Sequence, residues 1–311
     1  AFSYQGYYAY GMFASAFDTF PGLYAKNGTD VTYGFIDDGF KEYLTLMNQW
    51  YSEGLIDPDF PGYQNPFVDG QDMFTSGSTG AWDWAPAMMF DLWPMMNGGE
   101  GSLMGVSSPV QREGDSYHLR RDNGISGGSC YFLSTGARDR GNDELAARWV
   151  DYNYTLDCGY LWTFGEEGLD WAFNADGIPV YTNHYYNNPE GKSIYADMKM
   201  QSRGSQVYIW WREFDTLSEG VMAAYHTWQD SSDAAYNIPT YGIALTAEEA
   251  EDYASPYSDI QTYVADSIPK FIMGELNLDS DWDSFVASVK TMGIERCCEI
   301  YQGAVARYNA R

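Results

Sequence analysis

Residues 40–60 read FKEYLTLMNQWYSEGLIDPDF and contain, in order, an amphipathic run, a glycine stop and an acidic turn. Apolar side chains recur in the first part at three- and four-residue spacing, which predicts a helix with one buried face. Asp37 or Asp38 can cap its start, and Gly54 marks its end. The run DPDFPG at 57–62 predicts a turn, because proline and glycine interrupt regular structure. The apolar positions of this helix are Phe40, Tyr43, Leu44, Met47, Trp50 and Tyr51.

Working outward, short apolar segments alternate with helical patterns. We predict strands at Thr79–Trp84, Leu103–Val110 and Ser129–Thr135, and a helix from about Asn142 to Tyr154. Strands that alternate with helices are typical of an α/β architecture. Residues 1–36 show no clear period and are predicted to be irregular. The apolar side of the predicted helix carries Leu145, Ala146, Trp149 and Tyr152.

The C-terminal end is predicted to be helical throughout. Thr246 and Glu249 have the spacing of a capping box, and the helix that follows contains Pro269, which should kink it. Asp279 or Ser280 can cap the next helix. Residues of a last helix recur on one face at Ile294, Cys298, Tyr301, Val305 and Tyr308.

Charge excludes several classes of partner. The formal net charge is -27, from 44 acidic and 17 basic residues. Such a surface repels phosphate backbones, so we expect no nucleic-acid binding.

The aromatic composition favours a sugar ligand, because the 27 Tyr and 11 Trp together outnumber the 16 Phe more than twofold. Tyrosine and tryptophan suit half-wet clefts, where a flat ring covers the apolar face of a sugar.

Two segments match a catalytic or metal-binding motif in part, but the residues around them do not fit the motif. Residues 124–128 match G-x-S-x-G, but a predicted strand follows where the nucleophile elbow needs a helix. Residues 279–283 space their acids like an EF-hand, but Ser284 and Lys290 occupy the positions that require Gly and Glu. The three histidines and four cysteines lack zinc spacing, and the cysteines allow at most one predicted disulfide. We predict no catalytic residue, no metal and no cofactor.

One acidic cluster leaves an enzyme as an alternative. Glu166, Glu167 and Asp170 lie beside Trp171, and a glycosidase needs a carboxylate pair in a cleft. The same carboxylates can instead bind ligand hydroxyls or face solvent. A glycoside hydrolase or lyase acting on polysaccharide therefore stays an alternative, as does a stand-alone carbohydrate-binding protein.

Three segments together resemble the family 1 extracellular solute-binding proteins, in particular the large lipoproteins that serve oligosaccharide ABC importers. Residues 33–60 are similar to a family helix that ends in a YxEGLIDPDF phrase. The run FTSGSTGAW at 74–82 resembles the family's short helix, glycine turn and cleft-bordering strand. GEEGLDW at 165–171, followed by DGIPV at 176–180, resembles the GIEGxxW…DGxPV segment, with Glu166 where Ile is usual.

Two further segments, 138–154 and 282–309, resemble the helix after the crossover strand and the C-terminal end of the family. The resemblance implies an α/β, periplasmic-binding-protein-like (type II) two-lobe clamp with a helix-rich C-terminal end, its N-terminal lobe largely absent from this chain. Residues 1–128 are then a second-lobe segment with the cleft-bordering strand. Residues 129–245 supply the crossover strand, a helix and aromatic-rich loops that return towards the first lobe and cleft, and 246–311 are C-terminal helices that pack on the second lobe.

The resemblance also implies a function. Family members close two lobes on a ligand and present it to a permease, with no covalent chemistry. We therefore expect a bacterial extracytoplasmic protein that captures a carbohydrate, of which an oligosaccharide is the favoured form, for an ABC transporter. It would be a monomer, and lipid-anchored to the outer face of the cell membrane in its full-length precursor. A peptide or another small solute is the alternative ligand.

Ligand contacts are predicted on four segments. Alternation along a strand puts Trp82 and Trp84 on one face as stacking platforms, with Asp83 pointing the other way. The Gly-flanked acidic loop, an adjacent tryptophan pair and an arginine near the predicted crossover complete the set. The predicted ligand residues are Trp82, Asp83, Trp84, Arg121, Glu167, Asp170, Trp171, Trp210 and Trp211.

Overall fold

The computed structural model describes residues 2–3, 13–62, 76–82, 104–107, 110–115, 133–186, 222–224, 226–227 and 243–311. The chain divides into two compact units. Unit 1 comprises Ala1–Trp84, Val106–Gly128 and Thr227–Arg311, and unit 2 comprises Ala85–Gly105 and Ser129–His226. Among the described residues, no helix combines the length and the apolar character needed to span a membrane.

Helices dominate the described elements, and the strands pair two by two. β1 is parallel to β4, whereas β2 with β3 and β5 with β6 form antiparallel hairpins. In chain order the elements are β1 (Phe2–Ser3), β2 (Leu23–Lys26), β3 (Asp30–Tyr33), α1 (Asp38–Ser52), β4 (Ala81–Trp82), α2 (Thr135–Asp139), α3 (Asp143–Tyr152), α4 (Leu156–Phe164), β5 (Trp171–Phe173), β6 (Pro179–Tyr181), α5 (Asn183–Tyr186), α6 (Ala247–Met273), α7 (Trp282–Thr291) and α8 (Ile294–Asn309).

The core of unit 1 lies where α1 packs against α6, with α7 and α8 closing its sides. The predicted apolar stripe of α1 is confirmed, since four of its residues are fully buried: Phe40, Tyr43, Leu44 and Met47. Burial of each such side chain contributes about 1.5–3 kcal/mol. Asn48 adds a polar link, because its Nδ2 donates to the carbonyls of Phe271 and Ile272 near the end of α6. These carbonyls are among those that a helix end leaves unsatisfied.

The capping residues differ from some predictions. The Thr246–Glu249 capping box is confirmed at the start of α6, but Asp37 precedes α1 without a side-chain cap. Its carboxylate instead accepts hydrogen bonds from the Thr19 and Tyr24 hydroxyls. The predicted N-cap of α7 was Asp279 or Ser280, but the N-cap is Asp281, the residue after Ser280. Those two residues are held earlier in the turn, because both of their backbone N–H groups donate to Asn277 Oδ1.

Two predictions are wrong among the described residues, one within 1–36 and one within 103–110. A hairpin, β2–β3, occupies part of the segment predicted to be irregular. Asn27 and Gly28, with φ of 54° and 74°, supply its left-handed turn. The predicted strand at Leu103–Val110 is wrong in its described residues, which are irregular. Met104 and Val106 are exposed there, so these apolar side chains have no covering layer.

The other predicted strands are short or partly outside the described residues. In Thr79–Trp84 the strand covers Ala81–Trp82, and residues 83–84 lie outside the described part. Of Ser129–Thr135, residues 133–134 are irregular and Thr135 begins α2. Ser134 Oγ caps that helix by accepting from Ala137 N. The local cap therefore overrides the strand pattern.

Unit 2 is built from α2–α4, the hairpin β5–β6 and the short α5. The predicted helix at 142–154 is confirmed as α3, and α4 follows after a turn in which Asn153 is buried. A small aromatic core joins α4 to the hairpin through Phe164 and Trp171. This core fixes the connection between α4 and β5, which carries the acidic cluster.

The described cysteines are free thiols: Cys158, Cys297 and Cys298. Burial raises the pKa of all three, to about 12 for Cys298. A thiol with a raised pKa is a weak nucleophile at neutral pH, so these residues serve packing. Cys130 lies outside the described residues.

Candidate functional site

The acidic cluster lies on a tight connection between α4 and β5. Gly165 ends α4 with φ of 91° and ψ of -150°. A Cβ built at Gly165 would lie 2.5 Å from Asp170 Oδ2, so the chain passes this carboxylate too closely for any side chain. The segment from Gly165 to Asp170, which we call the acidic loop, is therefore strained by any side chain at its first position.

Asp170 anchors the acidic loop with both carboxylate oxygens. Its Oδ2 accepts from Glu166 N at 2.8 Å, and its Oδ1 lies 3.2 Å from His184 Nδ1. The backbone is fixed as well, because Thr182 N donates to Asp170 O at 2.8 Å. The Thr182 hydroxyl donates to Leu169 O. Asp170 thus holds the loop on the strand end.

Trp171 is buried in the aromatic core of unit 2, only 2% exposed. Its ring stacks on Tyr160 at 5.0 Å between centroids and meets Phe173 edge-on at 4.9 Å. The indole N–H donates to Gly165 O at 3.1 Å. This placement gives Trp171 a packing role that ties the acidic loop to the hairpin, and we leave it out of the proposed ligand contacts.

Glu166 and Glu167 are the exposed carboxylates of the loop. The backbone of Glu167 bridges to Trp171, and Gly168 N donates to Trp171 O at 2.7 Å. Within the described part of the chain, the side chain of Glu167 makes no hydrogen bond or ion pair and is exposed. A rigid backbone that presents a solvated carboxylate suits hydrogen bonding to hydroxyl groups, because ionised carboxylates are strong acceptors.

The opposite end of the hairpin is a polar turn. Asn174 Oδ1 accepts from Asp176 N at 2.9 Å and from Ile178 N at 3.0 Å. These bonds close a turn at 174–178, which overlaps the DGIPV run at 176–180. The turn sets the length of the hairpin and so brings His184, just after β6, back to Asp170.

His184 is the residue of this site that the sequence analysis missed. It lies 14 residues from Asp170, and its side chain is 55% exposed. The available signal was the antiparallel hairpin itself, since a turn at 174–178 places the residues after β6 beside those before β5.

Most of the other predicted ligand residues fall outside the described part. The backbone of Trp82 lies on β4, paired with Ser3 of β1, while its ring is not described. Asp83, Trp84, Arg121, Trp210 and Trp211 lie outside the described residues. Their ligand contacts stay predictions. Within the described ranges no group of three or more His, Cys, Asp or Glu side chains could hold a metal ion.

A separate groove of about 420 Å³ opens on unit 1 beside β2, β3 and the start of α1. Asp37 Oδ2 there accepts from Thr19 Oγ1 at 3.0 Å and from Tyr24 Oη at 2.9 Å, and Lys26 pairs with Asp18 at 2.9 Å. Burial raises the pKa of Asp37, and burial followed by the Asp37 charge raises the pKa of Tyr24. These polar groups satisfy one another, so the groove is not our candidate site. Its ionisable lining residues are Asp18, Tyr24, Lys26, Asp30, Asp37 and Asp38.

Comparison with known proteins identifies the fold. No family model and no curated protein matches the chain. Among solved structures it is similar to the alginate-binding protein AlgQ2 without calcium ion, with a TM-score of 0.68 and 18% identity over 96% of this chain and 62% of AlgQ2. It is also similar to the S. pneumoniae ABC-transporter substrate-binding protein FusA in complex with kestose, with a TM-score of 0.67 and 17% identity over 99% of this chain and 63% of FusA.

A third neighbour is an HMO-binding, ABC-transporter-associated solute-binding protein from Bifidobacterium longum infantis ATCC 15697. Its TM-score is 0.63 with 15% identity, over 99% of this chain and 64% of that protein. The chain therefore has part of the α/β fold of two-lobe solute-binding proteins. It spans 62–64% of the length of these three neighbours.

Proposed function

We propose that this chain is part of an extracytoplasmic solute-binding protein that captures a carbohydrate and delivers it to the permease subunits of an ABC transporter. The observation that carries the proposal is the fold, which extends over 96–99% of the chain in neighbours named for carbohydrate ligands or solved with one. Proteins that bind by domain closure need no covalent chemistry, because the ligand only shifts an open–closed equilibrium. We therefore propose a binding protein and not an enzyme.

The acidic loop supports a ligand with many hydroxyl groups. Glu167 offers an exposed carboxylate on a backbone that Asp170 and Gly165 hold in place. A carboxylate held in this way can accept hydrogen bonds from vicinal hydroxyls at low conformational cost. Asp170 uses both of its oxygens internally, which weighs against the carboxylate pair of a glycosidase.

The finer parts of the proposal rest on the sequence resemblance. They are membership of family 1, an oligosaccharide as the ligand, a lipid anchor in the full-length precursor and a monomeric state. Trp82, Asp83, Trp84, Arg121, Glu167, Trp210 and Trp211 are the proposed ligand residues. Because the chain matches 62–64% of the neighbours' length, we propose that its N-terminal lobe is largely absent from these residues and contributes to binding.

A thermal-shift screen tests the proposal, run on the 311-residue chain and on the complete gene product. The probes are kestose, an acidic alginate oligosaccharide and a neutral milk-type oligosaccharide. At one hundred times its dissociation constant a ligand adds about 2.7 kcal/mol of stability, a clearly visible shift. A shift with the sugar recovered intact by chromatography supports a binder, and a shift confined to the complete product shows that other segments are needed. Consumption of the sugar would replace the proposal with an enzyme.

A matched pair of variants then tests the acidic loop. Glu167→Gln keeps the size of the side chain and removes its charge, so it should weaken sugar binding by about 1.5–3 kcal/mol, the range for a hydrogen bond to a charged group. Asp176→Asn makes the same charge change at the other end of the hairpin and should leave the affinity unchanged. Equal affinities for both variants, measured by isothermal titration, would remove Glu167 from the site.

A further inference from the structure

The tip of the β2–β3 hairpin carries an asparagine followed by a glycine. Asn27 and Gly28 both adopt the left-handed conformation, with φ of 54° and 74°, and the Asn27 side chain is exposed. A Cβ built at Gly28 would meet no atom within 4 Å, so the space around this residue is open. In an asparagine–glycine pair the glycine nitrogen readily attacks the asparagine side chain, because glycine has no Cβ to obstruct the approach.

The reaction of this pair consumes only water. The backbone nitrogen of Gly28 attacks Cγ of Asn27 and closes a five-membered succinimide, while the Cγ–Nδ2 bond breaks and ammonia leaves with the Gly28 amide proton. Water then opens the ring. Attack of water at Cγ gives aspartate, whereas attack at the backbone carbonyl carbon gives isoaspartate, whose main chain runs through the former side chain. Either product adds one negative charge to the formal charge of -27.

The folded hairpin engages the nitrogen that has to attack. Gly28 N donates to Ala25 O at 3.1 Å, and Thr29 N donates to Lys26 O at 3.2 Å. Ring closure requires rotation about the Cα–C bond of Asn27, which breaks this tight turn and its hydrogen bonds. The reaction therefore proceeds from a locally opened hairpin, and its rate follows the population of that opened form.

A side chain of α8 restrains the opening of the hairpin. Gln302 Nε2 donates to Thr29 O at 2.7 Å, and Gln302 Oε1 accepts from Val31 N at 2.8 Å. One amide thus uses its donor and its acceptor on the backbone that follows the tip. Asn309 Nδ2 adds a long contact of 3.5 Å to Gly28 O. The two Gln302 hydrogen bonds lower the opened population by about tenfold or more, if each has ordinary strength.

We propose that Asn27 is a site of spontaneous deamidation and that the Gln302 contacts of α8 limit its rate. Isoaspartate lengthens the main chain by one atom at the tip, which moves Thr29 O and Val31 N out of register with the Gln302 amide. We therefore expect the modified hairpin to lose its attachment to α8. The proposal involves no ligand and is independent of the proposed function.

Peptide mapping by mass spectrometry tests the site on the 311-residue chain, incubated in mildly alkaline buffer with and without urea. We expect Asn27 to deamidate in both samples and at least about tenfold faster in urea, where no hairpin restrains it. Asn27→Gln should abolish the product at this position, because glutamine must close a less favourable six-membered ring. An Asn27 that stays intact in the unfolded chain, or in the folded chain through a prolonged incubation, would overturn the site. Equal rates with and without urea would overturn the restraint by the fold.

A matched pair of glutamine variants tests the role of α8. Gln302→Ala removes both contacts to the hairpin and should speed deamidation of Asn27 in the folded chain by about tenfold. Gln49→Ala removes an exposed amide of α1 that donates to Glu53 Oε1, and it should leave the Asn27 rate unchanged. In urea both variants should react at the parent rate. Equal acceleration by the two variants in the folded chain would indicate a general loss of stability and would overturn the role of Gln302.

Discussion

At the scale of single residues, Gly165 controls the geometry of the acidic loop. Gly165→Ala combines an unfavourable positive φ with a Cβ only 2.5 Å from Asp170 Oδ2. We expect a loss of about 3 kcal/mol or more in the free energy of unfolding, because backbone strain and the displaced carboxylate add. Urea denaturation followed by circular dichroism measures this change.

The control for Gly165→Ala is another glycine of the same unit. Gly177 has φ of 73° and open space around its Cα, so Gly177→Ala meets backbone strain without a clash. It should cost about 1–2 kcal/mol. If both variants lost the same stability, the close approach of Asp170 would have no energetic consequence.

The sequence predicted that Asp170 belongs to the candidate site, but it did not predict the contact of Asp170 with His184. The sequence places Glu167 and Asp170 in one loop beside Trp171, and in the structure the backbone of Glu167 bridges to Trp171 at the start of β5. It did not separate their environments, because burial of Trp171 and the two internal contacts of Asp170 depend on α4 and β6. The contact of Asp170 with His184 could be inferred only from the β5–β6 hairpin, and the partners of Trp171 on α4 lie 7 and 11 residues away, beyond the reach of local patterns.

At the scale of elements, Glu249 at the start of α6 takes part in both a helix cap and an ion pair. Glu249 accepts from Thr246 N at 2.8 Å as part of the capping box, and both its oxygens also accept from the Arg307 guanidinium of α8. The Arg307 hydrogen bonds, followed by the Thr246 backbone, lower the pKa of Glu249. A lowered carboxyl pKa gives stability that is present above the unfolded-state pKa and is lost as pH falls through the folded-state pKa.

We therefore expect Glu249→Gln to destabilise unit 1 at pH 7 and to match the parent chain at low pH. Glutamine still fits the capping box but carries no charge for Arg307. Thr246→Ala should instead cost about 1 kcal/mol at every pH, because its hydroxyl cap does not titrate. Urea midpoints measured as the pH is lowered from 7 compare the two, and a Glu249→Gln deficit that stays constant as the pH falls would contradict the ion-pair interpretation.

Element type followed from sequence where the pattern was long. The helices α1, α6, α7 and α8 are each ten or more residues long and bury an apolar stripe, and the sequence indicated all four. The strands were harder, because a run such as Leu103–Val110 is short and its state depends on a partner strand. The hairpin β2–β3 was missed although Asn27-Gly28 is a hairpin signal, since tyrosine and glycine around it hid the alternation.

At the scale of the whole molecule, net charge sets the response to salt. The formal charge of -27 makes the folded chain repel itself, and compaction brings the carboxylates closer together. Exposed ion pairs such as Lys26–Asp18 and Arg296–Asp252 act in the opposite direction, since salt weakens them. Each exposed pair contributes little, because water and salt screen it. We expect the repulsion to dominate.

Raising the NaCl concentration from about 0.01 M to about 0.15 M shortens the screening length from about 30 Å to about 8 Å, so the urea midpoint of the chain should rise. An uncharged osmolyte at matched osmolality controls for effects of solute exclusion, and it should not reproduce the rise. A midpoint that falls with salt would mean that the local ion pairs outweigh the excess charge. A rise would mean that the excess negative charge outweighs the local ion pairs.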